Sequence, residues 1–417
     1  MPDNPGRPQS GSKPESVLMG PRLNPAFNRA LDDLVAVARQ GHRPTSEFFN
    51  PSKEWLAAHV RIFQDLPKSE QGRLLQEHRQ VTEDARRENA GGRAARRAGP
   101  DAAFRLDSGG VAFFSQLGVA RRPDLTQYFV DGFTQNRDAM AFSEASQALF
   151  ADVIPHITRK LRDRFAAGDT VIQCDRGLGD VPSRSFHARQ LLFGDHYVQA
   201  PYLWQQLTFP LAELEAARPP QILEISIPRW LDDLGLPGEL KDRVKQAGLT
   251  QLVFKAPTKG LSLHLGFDYV GEHKMGPLSI AMFMAKEAGG LAVQAALSTA
   301  RVKTLDGVLT NTALVTIGPS LHGKSTLTIM IELAGSQLAK LLHLTTDPLE
   351  GVYAMNDDIV LLQRFPRPLE VTVGEKRVSI SHAIDGTENN FYAVPFGLTR
   401  EDDPIQYDVI RGPKGSP

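Results

Sequence analysis

The stretch Leu309 to Ile317, LTNTALVTI, is apolar and β-branched, and it runs without a break into Gly318-Pro319-Ser320-Leu321-His322-Gly323-Lys324-Ser325-Thr326. The residues from Ser325 onward, STLTIMIELAGSQLAKLL, have the apolar spacing of a helix. A strand, a glycine-bearing turn and a helix in immediate succession constrain the chain to an α/β arrangement around that turn.

The turn fits the pattern G-x-x-x-x-G-K-[ST]. Gly318 and Gly323 allow a tight curve in which successive backbone N–H groups point inward at phosphate oxygens. Lys324 supplies a positive charge for the outer phosphates, and the Ser325 hydroxyl suits Mg²⁺. The N–H groups that open the following helix, with Thr326 among them, add their dipole. Gly318, Ser320, Gly323, Lys324, Ser325 and Thr326 are therefore the expected nucleotide-binding residues, with ATP and Mg²⁺ as cofactors. A triphosphate site also needs carboxylates for the metal. Asp357 and Asp358, in Asn356-Asp357-Asp358 just before the apolar run IVLLQ, are the candidates, with Ser325 as the third metal ligand.

Other features narrow the classes of function. The net charge is −1, which gives no reason to expect nucleic acid or an anionic membrane as partner. The first twenty residues hold no apolar run fit for a signal peptide, and no apolar stretch reaches the roughly eighteen residues of a membrane span. The expected location is cytoplasmic. Cys174, the single cysteine, permits no intrachain disulfide and reads as a small core residue.

Residues 1–24 are rich in Pro, Gly and Ser and are expected to be a disordered tail. Helical patterning begins at Phe27, with Leu31, Leu34, Val35 and Ala38 on one face, and continues over 54–90. The five arginines between 86 and 100 sit among Gly and Ala and read as a solvated linker, with a nucleic-acid arm as the sharper alternative. Further on, 142–166 reads as a helix and 169–174, 221–227, 249–257 and 261–270 read as strands. A helix is expected over 277–296, and hairpin strands around 359–363 and 369–380.

Several segments, in this order, resemble the ATP-dependent phosphoenolpyruvate carboxykinases. Tyr269-Val270-Gly271-Glu272-His273-Lys274-Met275-Gly276 is similar to that family's Y-x-G-E-x-K-K-G. The loop through Gly323-Lys324-Ser325-Thr326-Leu327 is similar to its G-L-S-G-T-G-K-T-T-L. Asp357-Asp358 looks like its metal-binding pair, and Gly386-Thr387-Glu388-Asn389 resembles its T-E-N stretch. FHARQLLF, around Arg189, is a looser match to a substrate-arginine strand. The resemblance spans roughly 170–396. It implies a carboxykinase-like two-domain α/β fold with a phosphate-loop nucleotide domain, to which a helical N-terminal extension is added. The implied divisions are 1–24 as tail, 25–140 as helical extension, 141–300 as the first α/β domain and 301–417 as the nucleotide domain. The family continues past this point with an adenine-binding region, so the nucleotide domain is expected to be shortened at its C-terminus.

The resemblance implies an enzyme that uses ATP on an anionic small molecule, with Lys324, Asp357 and Lys274 as catalytic residues. The departures redirect the chemistry. The family's second lysine, a Mn²⁺ ligand, falls on Met275, its metal histidine falls near Gln294 or Ala295, and its arginine after T-E-N falls near Phe391. A thioether is a poor ligand for a hard ion, which counts against Mn²⁺. The expected activity is therefore oxaloacetate and ATP chemistry or kinase activity on another acceptor. A nucleotide-binding regulatory or scaffold protein without turnover is the alternative, with the helical extension as a surface for a protein partner. Arg184 and Arg189 are candidates to clamp an anionic substrate, with structural ion pairing as the rival role. Glu272 is a candidate base, His273 reads as structural with replacement of the lost metal ligand as its rival role, and His322 reads as a solvent-facing loop position with a phosphate contact as its rival.

Overall fold

The computed structural model describes residues 23–60, 62–74, 76, 102–105, 111–114, 126–131, 139–194, 198–211, 218–267, 269–318, 324, 328, 341 and 349–389. It is a mixed α/β structure with two large sheets. Of the expected tail 1–24, residues 1–22 lie outside the described residues, as do the Arg-rich linker 86–100 and most of the segment expected to form a helix after Lys324. Leu23 packs against the first core and Asn24 caps the first helix, so ordered structure reaches into the expected tail.

Helices α1 (Pro25–Gln40) and α2 (Lys53–Ala58) come first. Asn24 caps α1 by accepting from the backbone N–H groups of Ala26 (2.9 Å) and Phe27 (3.3 Å), with Pro25 at the first helical position. Strands β1 (Ala102–Arg105) and β2 (Val111–Phe114) form a separate antiparallel pair. Then follow β3 (Gln127–Val130), β4 (Met140–Ala141), α3 (Glu144–Ala167), β5 (Val171–Leu178), β6 (Phe186–Phe193), α4 (Gln199–Leu207), β7 (Ile222–Ile227), α5 (Trp230–Asp233), α6 (Gly238–Gln246), β8 (Leu252–Ala256) and β9 (Leu261–Leu265). These seven strands make one sheet in the order β4-β3-β8-β9-β7-β6-β5.

Both faces of that sheet are buried. Consecutive residues point to opposite sides, so Val171, Leu191 and Leu223 enter the core under α1 and α3. Ile172, Leu192 and Ile222 enter the core on the other side. Within the segment 25–140, expected as a helical extension, α1, α2 and β3 are thus part of this layered unit. The apolar face of α1 (Phe27, Leu31, Leu34, Val35, Ala38) packs into the first core, and β3 pairs with β8 in parallel. The local sequence QYFV is a strand, not a continuation of the helices.

Helix α7 (Val270–Glu287) covers the second face and leads into the second sheet. It begins earlier than the expected 277, although Pro277 lies inside it, and it stops before 296. Gly289, at φ +82°, turns the chain, and Gly290 lies so close to the Leu362 carbonyl that no side chain fits. Residues 291–296 then belong to β10 (Leu291–Lys303), so the second sheet starts before the expected boundary at 301. Its other strands are β11 (Leu309–Ile317), β12 (Gly351–Asn356), β13 (Ile359–Val373) and β14 (Lys376–Gly386). The order is β11-β10-β13-β14, with β12 also on β10. Ile359 and Leu361 of β13 join the core beneath α7, which ties the two sheets together. Among the described residues, no helix is long and apolar enough to cross a membrane.

Candidate functional site

The site grows from a bend in one line of chain. β12 and β13 run end to end along β10, both antiparallel to it, and Asp357 and Asp358 form the break between them. A register shift opposite Leu297 and Ser298 adds a local irregularity there. The bend is held by side chains. Asn356 Nδ2 donates to the Ile359 carbonyl (2.9 Å), and Asn356 Oδ1 accepts from the Glu388 N–H (2.9 Å). Glu388 Oε2 in turn accepts from the N–H groups of Asp358 (3.1 Å) and Ile359 (3.3 Å).

Neighbouring side chains on a regular strand point to opposite faces. At this bend both acids instead reach one ammonium. Lys274 Nζ lies 3.5 Å from Oδ2 of Asp357 and 3.5 Å from Oδ2 of Asp358. It lies closer still, 2.7 Å, to Glu388 Oε1. Lys324 approaches separately, its Nζ 2.9 Å from Asp358 Oδ1, and Gln294 Nε2 donates to the same oxygen at 3.4 Å. The Gly318 N–H donates to the Gln294 carbonyl at 3.3 Å, which sets the start of the loop over β10. Lys274, Lys324, Asp357 and Glu388 are all buried.

Such burial is tolerable only because the charges are paired. Burial would raise the Asp358 carboxyl, but the charge of Lys274 and then Lys324 holds it below the usual carboxylate range. Glu388 is the deeper group. Burial pushes it up to about 6, and Lys274 offsets that only in part. Burial pulls the Lys274 ammonium down, but Glu388, Asp358 and Asp357 together raise it above its ordinary value. With all five groups ionised, three carboxylates face two ammoniums. The carboxylate oxygens of Asp357 and Asp358 suit a hard cation, and the two lysines suit phosphate oxygens.

Of the residues expected from sequence, the structure brings together Lys274, Lys324, Asp357 and Asp358, with Gly318 nearby. Ser320, His322, Gly323, Ser325 and Thr326 lie outside the described residues. The two arginines take the rival, structural role. Arg184 makes a two-pronged pair with Asp385 at 2.7 Å for both nitrogens, tying the connection after β5 to β14. Arg189 is clamped to Asp175 (2.8 and 2.7 Å) and to the Ala38 and Arg39 carbonyls at the end of α1. Glu272 accepts from the Tyr128 hydroxyl at 2.9 Å. Cys174 is fully buried, and burial pushes its thiol up to about 12.

Sequence reasoning left Glu388 out of the site, although the T-E-N match had touched it. It also missed Glu224 and His264, which with His273 form a buried group that could hold a metal ion, a ligating atom from each lying within 4.8 Å of the others. No known family model and no curated protein matches this chain.

Proposed function

We propose that this chain is an ATP-binding, carboxykinase-like enzyme that transfers the terminal phosphoryl group of Mg-ATP to an acceptor. The single observation that carries the reading is the meeting of Lys324, from the phosphate-loop pattern, with Asp358 at 2.9 Å, beside Lys274 and Asp357. In this reading Asp357 and Asp358 hold Mg²⁺, together with Ser325. Lys324 leaves Asp358 for the outer phosphate oxygens, and Lys274 balances charge building up on the transferred group. In the transfer, the acceptor oxygen bonds to the γ-phosphorus, the bond from that phosphorus to the β-γ bridging oxygen breaks, ADP leaves and the acceptor proton passes to solvent.

Met275 and Gln294 favour transfer to another acceptor over the decarboxylation known for carboxykinases. Met275 packs against the apolar core, and Gln294 offers its amide to Asp358 at 3.4 Å. Neither replaces a lysine or histidine ligand that would steady an enolate through Mn²⁺. The same Gln294 contact supports a second reading, a nucleotide-binding regulator without turnover.

The test is incubation with Mg-ATP and a panel of acceptors including oxaloacetate, with ADP and products followed by mass spectrometry and Lys324→Ala as control. Acceptor-dependent ADP that disappears in Lys324→Ala supports transfer. Binding without ADP from any acceptor supports the regulator, and oxaloacetate-dependent CO₂ restores the family's own reaction.

A further inference from the structure

On β7 and β9, which pair in parallel, the register sets Glu224 opposite Ser262 and Ser226 opposite His264. Each strand thus places two polar residues, two positions apart, on one face of an otherwise apolar stretch. That face looks into α7, where His273 meets it. All five side chains are almost wholly shielded from solvent. Gly276 of α7 passes directly over the patch. A Cβ there would lie 2.7 Å from His264 Nε2 and 2.8 Å from Ser262 Oγ, so only glycine lets the helix come this close.

We propose that Glu224, His264 and His273 form a binding site for a divalent transition metal of the zinc class. His264 Nδ1 and His273 Nε2 lie 3.8 Å and 3.9 Å from the same oxygen, Glu224 Oε1. These separations are too long for hydrogen bonds, and Glu224 Oε1 and His264 Nδ1 are both buried without a hydrogen-bond partner. Two donors aimed at one gap and left unsatisfied are what an ion would complete. An inward shift of a few tenths of an ångström per ligand brings the set to zinc distances of about 2.0–2.2 Å.

The outer contacts suit that role. His273 Nδ1 donates to the Tyr269 carbonyl at 2.7 Å, which leaves the Nε2 lone pair facing the gap. The Ser226 hydroxyl, 2.6 Å from Nε2, donates to that lone pair when no ion is bound and offers its oxygen as a fourth ligand. His264 Nε2 is 2.7 Å from Ser262 Oγ, and Glu224 Oε2 accepts from Gln190 Nε2 at 3.2 Å, so each ligand is oriented from behind. A divalent ion takes a carboxylate and neutral imidazoles, the forms these three side chains can all supply. Two imidazoles and one carboxylate favour zinc-like ions over Mg²⁺, which takes oxygen ligands. This site is therefore distinct from the Asp357–Asp358 pair and does not depend on the nucleotide reading. Because Lys274 follows His273 in α7, an ion here would also fix the helix that delivers it.

The full chain, stripped with a chelator, is titrated with Co²⁺ as a spectroscopic probe and then with Zn²⁺. The expected result is one equivalent of Co²⁺ with the visible bands of a four-coordinate ion, displaced by Zn²⁺. Zn²⁺ raises Tm and Mg²⁺ does not. Glu224→Gln and His273→Gln each weaken Zn²⁺ binding at least tenfold, and Lys324→Ala leaves it unchanged. X-ray absorption of the zinc-loaded wild-type chain, which needs no variant, shows two imidazoles around the metal. Failure of the wild-type chain to hold stoichiometric metal overturns the proposal, as does a zinc environment without two imidazoles.

Discussion

Replacing Lys274 by Met keeps the bulk of the side chain and removes the charge that three carboxylates share. Lys274 is 6% exposed, within 2.7 Å of Glu388 and 3.5 Å of both Asp357 and Asp358. Removing one member of a buried ion pair costs about 3–5 kcal/mol, because the partner charge stays behind without compensation. Here three carboxylates share the lost charge, and Lys324 is paired with one of them, Asp358, at 2.9 Å, so the cost is expected at the upper end of that range. The pH dependence is more diagnostic than the size. In the native chain Asp358 is held low, so its stabilising share is present above its unfolded value and is lost only as pH falls through the depressed one. In Lys274→Met, Asp358 and Glu388 lose the charge that offsets their burial, so both are expected to move up, Glu388 from a value already raised to about 6. A raised acid penalises the fold above its unfolded value, and the penalty fades as pH drops below the raised one. The deficit against wild type should therefore be largest at high pH and shrink as pH falls through the raised carboxyl values, which for Glu388 lie above its native value of about 6. Urea unfolding followed by tryptophan fluorescence at a series of pH values reads this directly. A deficit below about 1 kcal/mol, or one that does not change with pH, would refute the shared buried network.

Gly276→Ala forces a Cβ to within 2.7 Å of His264 Nε2, and overpacking of that kind costs about 1–3 kcal/mol. Tm should fall, and adding Ser262→Ala should recover part of the loss. An unchanged Tm in the single variant would contradict the close approach of α7 to β9. Cys174, fully buried with its thiol pushed up to about 12, should resist aromatic disulfide reagents in the native chain and react in urea. Rapid native labelling would show that the second core is not closed over β5.

The loop lysine and the acid pair were legible in the sequence because each belongs to a short pattern tied to its chemistry. In the fold the two patterns meet, with Lys324 2.9 Å from Asp358. The single amphipathic face of α1 and the long α3 were equally plain. The passage from α7 into β10 was not. LAVQAALSTA has the composition of a helix, but pairing with β11 and β13 overrides that preference once Gly289 and Gly290 have stopped α7. Glu388 was hidden for a different reason. Its place in the site depends on hydrogen bonds to the backbone of Asp358 and Ile359, some thirty residues earlier in the chain. The buried group of Glu224, His264 and His273 was hidden in the same way. ILEISI and LSLHL each show two polar residues two apart, but only the parallel register of β7 with β9 unites them.

The proposed nucleotide site depends most on Lys324, set against the Asp357–Asp358 corner. Calorimetric titration of Mg-ATP into the wild-type chain and into Lys324→Ala tests it most directly. Loss of a charge-assisted contact of about 1.5–3 kcal/mol predicts binding to wild type that weakens roughly 10- to 150-fold in the variant. Equal affinity in the two proteins, or no binding to the wild-type chain, would contradict it.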